Sequence, residues 1–162
     1  MIFFTVGTEQ FDFKRMIDAA DLVATELPDE EVFIQIADNT EVPQHASWER
    51  WLSYQDFAQR VEDARIVVTH AGAGSLLSCA WIDKVAITVP RLHKYGEHVD
   101  NHQCELADKM AELGHAIIGE TPEELCRLVV DYEAEIGKLK REHKSSPTLG
   151  TALKKWLEQI EC

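Results

Sequence analysis

The chain has 162 residues, of which 45% are hydrophobic and 28% are charged, and its formal net charge is −13 at pH 7. This length and composition are typical of one globular domain with a sizeable core. The acidic balance argues against nucleic acid as a partner, because binding a phosphate backbone requires a basic face. No apolar stretch reaches about 18 residues, so we expect no membrane-spanning helix.

The N-terminal segment and the cysteines indicate a cytoplasmic protein. Residues 1–8 lack the basic region of a signal peptide and have the pattern of a first strand. The four cysteines, at positions 79, 104, 126 and 162, follow neither a disulfide nor a metal-site spacing. We therefore expect reduced thiols.

Strand and helix patterns alternate along the chain. In chain order, strands are predicted at 2–6, 32–36, about 48–52, 66–69, 85–89 and 115–118, and helices at 12–26, 54–64, 75–83, 100–113 and 121 to about 142. Short, nearly continuous apolar strands between helices are typical of a parallel sheet covered on both faces. The expected fold is α/β, a single Rossmann-like domain with a parallel sheet of about six strands.

The C-terminal part of the chain has its own signals. Thr121 and Glu124 form a capping box with Pro122 at the first helical position, which predicts the start of the fifth helix. Residues 145–150 then interrupt the pattern, and an amphipathic helix follows with Leu153, Trp156, Leu157 and Ile160 on one face. We divide the chain into a domain at 1–144 and a linker with a C-terminal helix at 145–162. The apolar face of this helix packs either on its own domain or on a partner.

Residues 138–155 contain six Lys and Arg residues against one acid, Glu142. Two interpretations remain open. The cations either form a solvated helix end that favours the helix dipole, or face an acidic partner or an anionic membrane surface.

Residues 67–75, Val-Val-Thr-His-Ala-Gly-Ala-Gly-Ser, are the most informative stretch. A β-branched strand ends in a glycine loop, and an apolar helical pattern opens at Ser75. Glycines allow a ligand to approach the backbone, and a helix N-terminus offers unpaired N–H groups and a partial positive charge. The pattern favours a phosphate-binding loop; the alternative is a tight turn without a ligand.

A second polar segment follows the next strand. After Pro90, residues 91–103 are Arg-Leu-His-Lys-Tyr-Gly-Glu-His-Val-Asp-Asn-His-Gln. Because the carboxyl ends of parallel strands meet at one edge of a sheet, the two segments are expected to form two sides of one crevice.

Two common nucleotide-binding motifs are absent. A dinucleotide fingerprint requires G-x-G-x-x-G after the first strand, and residues 7–10 are Gly-Thr-Glu-Gln. Gly72 and Gly74 have Leu77 where a third glycine belongs, and no Gly-Lys-Ser/Thr sequence occurs.

The sequence resembles the glycosyltransferase family 28 C-terminal domain, the nucleotide-sugar-binding half of GT-B glycosyltransferases. It is most similar to donor-binding subunits of split enzymes, such as the small subunit of the dolichol-linked chitobiose-forming GlcNAc transferase and bacterial exopolysaccharide and capsule enzymes. The resemblance covers about residues 1–120 and rests on Thr-Val-Gly-Thr at 5–8, Phe11, Gln35, Thr-His-Ala-Gly-Ala-Gly-Ser at 69–75, Val-Pro-Arg at 89–91 and Lys-Tyr-Gly-Glu-His-Val-Asp-Asn-His-Gln at 94–103.

The resemblance implies the donor-binding subunit of a two-component inverting glycosyltransferase of polysaccharide biosynthesis. The donor would be a UDP-sugar and the acceptor a lipid-linked saccharide. A membrane-anchored partner subunit would bind the acceptor and supply the general base, and this chain would be cytoplasmic and attached to the membrane through its partner. It implies no cofactor.

The resemblance also implies roles for individual residues. Gly72, Gly74 and Ser75, with a cationic cluster of Arg91, His93, Lys94 and His98, would stabilise the diphosphate leaving group. Gly7 and Thr8 would line the crevice floor, and Asn101 and Gln103 would bind the hydroxyls of the sugar. His70 is either a ligand or a histidine that ends a strand.

Two positions depart from the family pattern. Ala37 stands where many relatives have glycine, and Ser78 where full-length relatives often have an acid that binds the ribose. Glu97 is the substitute that we expect for this acid. His98 and His102 are four residues apart, but no third ligand joins them, so no metal site is predicted.

Two other function classes remain open. The chain could be a non-catalytic accessory subunit that enhances a partner transferase, or a free-standing nucleotide-sugar enzyme such as a 2-epimerase. The sequence does not distinguish between GlcNAc, galactose, glucose and glucuronate as the donor sugar.

Overall fold

A computed structural model describes residues 1–139. Its strands are β1 (Ile2–Thr5), β2 (Val32–Gln35), β3 (Ser47–Glu49), β4 (Ile66–His70), β5 (Ala86–Val89) and β6 (Ala116–Ile118). Its helices are α1 (Lys14–Glu26), α2 (Tyr54–Asp63), α3 (Ala73–Trp81), α4 (His102–Glu112), α5 (Pro122–Val130) and α6 (Tyr132–Gly137), with a 3₁₀ turn at His93–Tyr95.

The six strands form one parallel sheet with the order β3-β2-β1-β4-β5-β6. The predicted Rossmann-like architecture is therefore confirmed. After β1 the chain adds β2 and β3 on one side and then returns to add β4 on the other. The switch point between β1 and β4 is where open α/β sheets leave a crevice for a ligand.

Helices cover both faces of the sheet, and β1 shows why. Its residues are all buried, with Ile2 and Phe4 in the core beneath α1 and α5 and Phe3 in the core beneath α2, α3 and α4. Alternate side chains of a strand point to opposite faces, so a strand with apolar residues on both faces requires a layer on each side.

The edge of the sheet differs from the sequence expectation. The strand predicted at about 48–52 is only three residues long, and all three are exposed. The tryptophans at positions 48, 51 and 81 are all exposed, and Trp81 is 92% exposed. Their side chains lie on an edge strand and outer surfaces, which a local pattern cannot reveal.

The helix predicted from 121 to about 142 is divided. The predicted cap is confirmed at its start, where the Thr121 hydroxyl accepts a hydrogen bond from the Glu124 N–H at 3.2 Å. The box is not reciprocal, because the Glu124 carboxylate accepts from the Glu120 N–H at 2.9 Å instead of from that of Thr121. Helix α5 then ends at Val130, and α6 begins at Tyr132. The break accompanies the burial of Tyr132, whose hydroxyl donates to the carbonyl of Val85 at 2.6 Å.

Several expectations fall on residues that the structure does not describe. They are the linker and amphipathic helix at 145–162, most of the basic segment 138–155, Cys162 and the last residues of the fifth predicted helix. Within residues 1–139, no helix is long and apolar enough to cross a membrane. In the same range Cys79, Cys104 and Cys126 are free cysteines.

Candidate functional site

A cleft of about 640 Å³ opens at the carboxyl ends of β1, β2 and β4, beside the switch point. Among the described residues, no Asp, Glu, Lys or Arg lines it, although the chain is strongly acidic. A cleft of this size holds a ligand as large as a nucleotide. Its lining consists of Thr5, Gly7, Thr8, Gln35, Trp51, Leu52, Ser53, Tyr54, Phe57, His70, Gly74, Ser75 and Ser78.

One wall of the cleft is the N-terminus of α3. Gly72 occupies the N-cap position with extended backbone (φ −81°, ψ 135°), and no side chain caps the helix. The first N–H groups of a helix have no acceptor within the helix, so those of Ala73, Gly74 and Ser75 carry the positive end of its dipole. A Cβ added to Gly74 would meet no atom within 4 Å. Nothing within the described chain therefore requires glycine at position 74.

Gly7 and Gly72 have a different role, because both pack against the ring of His70. A Cβ on Gly7 would lie 2.3 Å from His70 Cε1, and one on Gly72 would lie 2.1 Å from His70 Nε2. Gly7 also has a φ of +79°, in the left-handed region that favours glycine. The two glycines make room for the imidazole at the floor of the cleft.

His70 is a buried, neutral imidazole. Burial, together with the nearby charge of Arg91, lowers its pKa from an ordinary 6.5 to about 4. At neutral pH the ring can donate one hydrogen bond and accept another, and it adds no charge to the cleft. An anion that bound beside it would raise its pKa.

A hydrogen-bonded network supports the floor of the cleft. The Thr5 hydroxyl donates to Gln35 Oε1 at 2.6 Å and accepts from the Gly7 N–H at 3.2 Å. Gln35 Nε2 donates to the carbonyl of Gly7 at 3.1 Å and to that of Arg50 at 3.1 Å. Gln35, which closes the second strand in the family-like pattern, thus holds the backbone of Gly7 in place.

An aromatic wall, which the sequence analysis missed, lies opposite these polar groups. Trp51, Tyr54 and Phe57 line the cleft; Trp51 is 48% exposed and Tyr54 is 84% exposed. They flank the start of α2, where Ser53 caps the helix by accepting from the Asp56 N–H. The available signal was the spacing of three aromatic residues at positions 51, 54 and 57, at the end of the third predicted strand and the start of the second predicted helix. The aromatic wall and the glycine loop lie close together because of the strand order of the sheet, in which β3 pairs with β2 and β4 pairs with β1.

Arg91, which we expected in the cationic cluster at the diphosphate, is engaged inside the protein. This side chain is fully buried, and its guanidinium donates to the carbonyls of Val6 at 2.9 Å, Phe11 at 2.8 Å and Glu97 at 3.1 Å. Its Cζ lies 4.4 Å from the centre of the Phe13 ring. Burial lowers the pKa of Arg91 to about 10, so it stays charged at neutral pH. Because backbone carbonyls occupy the guanidinium, it does not line the cleft.

Glu97, which we expected to substitute for the ribose-binding acid, is likewise engaged inside the protein. Glu97 is only 4% exposed, and both of its carboxylate oxygens bind Arg15, at 2.8 and 2.5 Å. One of them also accepts from the Leu92 N–H at 3.0 Å. With its oxygens occupied inside the protein, the carboxylate is not available to a ribose.

Asn101 and Gln103 lie beyond the cleft lining and use their side-chain oxygens internally. Gln103 Oε1 accepts from the Arg91 N–H at 3.2 Å, and Asn101 Oδ1 accepts from the His93 N–H at 3.0 Å. With the oxygens fixed in this way, each amide NH₂ is left as a donor. These residues can therefore donate to the hydroxyl or phosphate oxygens of a ligand that extends past the cleft.

Of the other members of the expected cationic cluster, two are at the surface and one is partly buried. His93 and Lys94 are exposed on the 3₁₀ turn, and the Lys94 ammonium lies 4.8 Å from the centre of the Tyr95 ring. His98 is partly buried, and its Nδ1 lies 3.0 Å from Asp100 Oδ1. Within residues 1–139 no group of three His, Cys, Asp or Glu residues could hold a metal ion.

The two departures from the family pattern have distinct structural consequences. The Ser78 hydroxyl lines the cleft but donates to the carbonyl of Gly74 at 2.8 Å, one turn earlier in α3. Ala37 has a φ of +47°, where glycine would be favoured. This backbone conformation is one that glycine adopts without strain, which fits the glycine that the resemblance implies at this position.

Comparison with known proteins gives one family match. The model of the glycosyltransferase family 28 C-terminal domain matches residues 1–160. A sequence search of curated proteins gives no match.

Solved structures share the fold. They include a glycotransferase of kitacinnamycin (TM-score 0.62, 19% identity), the glycosyltransferase SnogD from Streptomyces nogalater (0.55, 16%) and MurG from Acinetobacter baumannii (0.52, 23%). They cover 84%, 86% and 81% of this chain, respectively. This chain covers only 35%, 40% and 40% of theirs. At these identities the likeness shows the fold, that of the C-terminal half of GT-B glycosyltransferases.

Proposed function

The chain belongs to the glycosyltransferase family 28 C-terminal domain family, and we propose that it binds the UDP-sugar donor of a two-component inverting glycosyltransferase. The acceptor in this proposal is a lipid-linked saccharide of polysaccharide biosynthesis, such as exopolysaccharide. The observation that carries the proposal is the uncapped N-terminus of α3, which forms a wall of a cleft without charged side chains. A diphosphate has the charge and the acceptor oxygens that this wall favours.

The cleft suggests how the donor would lie. The diphosphate would occupy the N–H groups of Ala73, Gly74 and Ser75, with the neutral His70 beneath it. The uridine would lie against the aromatic wall of Trp51 and Tyr54, since flat rings stack on exposed aromatic side chains. The sugar would extend toward the amide donors of Asn101 and Gln103, along with the exposed Lys94.

In the reaction, a hydroxyl oxygen of the acceptor attacks the anomeric carbon of the donor and inverts its configuration. The bond from that carbon to the β-phosphate oxygen breaks, its electron pair stays on the departing UDP, and a general base takes the hydroxyl proton. Fixed N–H groups stabilise the negative charge that builds on the diphosphate. The described cleft has no carboxylate, so we assign the general base to the other half of the enzyme.

The second half of the enzyme is part of the proposal. This chain spans 35–40% of the length of the similar glycosyltransferase structures. We propose that a membrane-anchored subunit supplies the acceptor-binding half, and that this chain works at the cytoplasmic face of the membrane through that partner. The C-terminal amphipathic helix expected near 153–160 is the proposed docking element; deleting residues 149–162 should abolish co-purification with the partner and leave UDP binding intact.

Calorimetric titration with UDP and a panel of UDP-sugars tests the donor site. Wild-type protein should bind with micromolar to millimolar affinity. Gly74→Asp should weaken binding by about 10- to 100-fold, because a carboxylate at the mouth of α3 repels the diphosphate and competes for its N–H groups. Gly137→Asp is the matched control: Gly137 is also a helical glycine with open space at its Cβ, but it lies in α6, outside the cleft.

The titration also separates the alternatives. Equal affinities for UDP in Gly74→Asp and wild type would contradict the site. No binding by the isolated chain, with binding restored by the partner, would indicate a composite site. No binding in either case would favour the accessory-subunit alternative, for which the engaged hydroxyl of Ser78 and the buried carboxylate of Glu97 are the supporting observations. Turnover of a UDP-sugar by the chain alone would favour the epimerase class.

A further inference from the structure

Two loops beside the cleft are joined by buried charged side chains. We call residues 6–13 the first loop, which follows β1 and contains Gly7 and Thr8 of the cleft lining. We call residues 91–101 the polar loop, which follows β5. Arg91 and Glu97 belong to the polar loop, and Arg15 lies in the first turn of α1, just after the first loop.

Arg91 connects the polar loop to the first loop. Its two terminal nitrogens donate to the carbonyls of Val6, at the start of the first loop, and Phe11, in its second half, and to the carbonyl of Glu97. The guanidinium packs on the Phe13 ring. Three carbonyls that point into the protein are thus satisfied by one planar cation, a geometry that the single ammonium of lysine cannot reproduce.

Glu97 and Arg15 make a second connection between the same regions. Both oxygens of the buried Glu97 carboxylate accept from Arg15, in the fork geometry of a strong ion pair. Arg15 also donates to the carbonyls of Pro90 and Glu120, and its Cζ lies 4.9 Å from the centre of the Tyr95 ring. Helix α1 is therefore fixed to the residue before the polar loop and to the middle of that loop.

The polar loop is closed on itself as well. The consecutive N–H groups of residues 91, 92 and 93 donate to the side-chain oxygens of Gln103, Glu97 and Asn101, respectively. A loop without regular structure normally leaves its N–H groups to water. Here side-chain oxygens of the polar loop and of α4 accept these hydrogen bonds in place of water. The polar side chains of this segment therefore stabilise its own backbone.

We propose that Arg15, Glu97 and Arg91 form a positioning unit that holds the first loop and the polar loop together and thereby sets the shape of the cleft at Gly7 and Thr8. None of the three touches the ligand. The consequence for affinity rests on the proposed UDP-sugar function, whereas the effect on the two loops does not.

Hydrogen exchange of backbone amides tests the effect on the loops directly. Glu97→Gln removes the ion pair but keeps one oxygen that can accept from the Leu92 N–H. It should raise exchange rates in both loops by about 10-fold or more, because hydrogen bonds to a charged partner are lost. Arg15→Met should have a similar effect. Arg15→Lys, which retains the charge without the fork, should restore part of the protection.

UDP affinity, measured on the same variants, tests the consequence for the cleft. Affinity should fall in the order wild type, Arg15→Lys, Arg15→Met, in parallel with the loss of protection in the first loop. Val129→Ala is the control for a general loss of stability, because Val129 is buried in α5 outside both loops. It should lower the midpoint of unfolding while leaving UDP affinity and exchange by local opening in the loops unchanged.

Three results would overturn the proposal. Unchanged exchange in both loops of Glu97→Gln and Arg15→Met would show that the unit does not hold them. Weaker UDP binding without faster exchange would indicate direct contact instead of positioning. If Val129→Ala raised exchange in the loops and weakened UDP binding as much as Arg15→Met, the unit would only stabilise the fold. If wild-type protein binds no UDP, the proposed function fails, and the exchange rates still decide whether the loops are held.

Discussion

The glycine segment 72–75 and the polar loop 91–101 follow neighbouring strands, yet they use their polar groups in opposite ways. The glycine segment leaves the N–H groups at the start of α3 uncapped and facing a cleft. In the polar loop, side-chain oxygens accept from three consecutive N–H groups, and backbone carbonyls occupy the Arg91 guanidinium. The segment with almost no side chains is the one that is open to a ligand.

This difference shows that a dense polar sequence is weak evidence of ligand contact. Buried polar groups must be hydrogen-bonded, and a long irregular loop between a strand and a helix creates many backbone groups that need partners. The residues of the polar loop meet that requirement first. Only the groups left over, such as Lys94 and the amide donors of Asn101 and Gln103, are available to a ligand.

The largest expected effect is the loss of stability when Arg91 is replaced. Arg91→Met keeps much of the side-chain volume and leaves three carbonyls without their donor, so it should lower the free energy of unfolding by about 3–5 kcal/mol. Urea denaturation of the full chain measures this. A loss below about 1 kcal/mol would mean that the guanidinium contributes little to the fold, and would return Arg91 to the list of candidate ligand contacts.

Two glycines of the cleft distinguish close packing from ligand access. Gly7→Ala should cost about 3–4 kcal/mol, because the residue has a positive φ and its Cβ would overlap the buried His70 ring. Gly74→Ala should change the free energy of unfolding by less than about 1 kcal/mol, and alanine in the helix should favour stability. Denaturation of both variants makes the comparison, and similar losses would contradict the separation of roles.

The buried imidazole of His70 should make stability depend on pH. Its native pKa of about 4 lies below the ordinary 6.5. Between these two pH values, the unfolded chain therefore binds a proton at His70 that the native chain does not. The contribution of His70 is therefore fully present above about pH 6.5, and about 3 kcal/mol is lost as the pH falls toward 4. His70→Gln should lose less stability than wild type between pH 7 and 4. Parallel curves for the two proteins would mean that His70 titrates normally.

The smallest expected effect is a gain in stability when Ala37 is replaced by glycine. Ala37→Gly relieves the strain of a φ of +47° at a fully buried position. Because glycine also adds freedom to the unfolded chain, the net gain in the free energy of unfolding should be only about 0.5–1 kcal/mol. Thermal unfolding monitored by circular dichroism measures the change, and a lower midpoint in the variant would show that the backbone is not strained there.

The fold was predictable because each βα unit has a local signal. Five of the six strands and the first four helices lie within a few residues of their predicted places, since buried strands such as 66–70 open with an apolar, β-branched run and helices such as α2 have a clear N-cap. The division at Asp131 was not predictable, because it accompanies the tertiary contact of Tyr132 with Val85.

The candidate site was predictable only in part. The glycine loop and Gly7 do line one cleft, because strand ends in a parallel sheet meet at one edge. The burial of Arg91 was missed, since arginine is rarely fully buried and its partners are carbonyls far away in sequence. Trp51 and Tyr54 were missed because their approach to β4 depends on strand order, which neighbouring residues do not reveal.

Amide chemical-shift mapping with UDP is the most direct test of the central claim that α3 receives the donor diphosphate. We expect the largest shift changes at Ala73, Gly74 and Ser75, with changes at Thr8 and at the Trp51 indole and little change at the internally bonded amides 91–93. The mapping needs only the described domain and no partner. Changes confined to residues 91–101, with the amides of α3 unaffected, would contradict this account and place the donor on the polar loop.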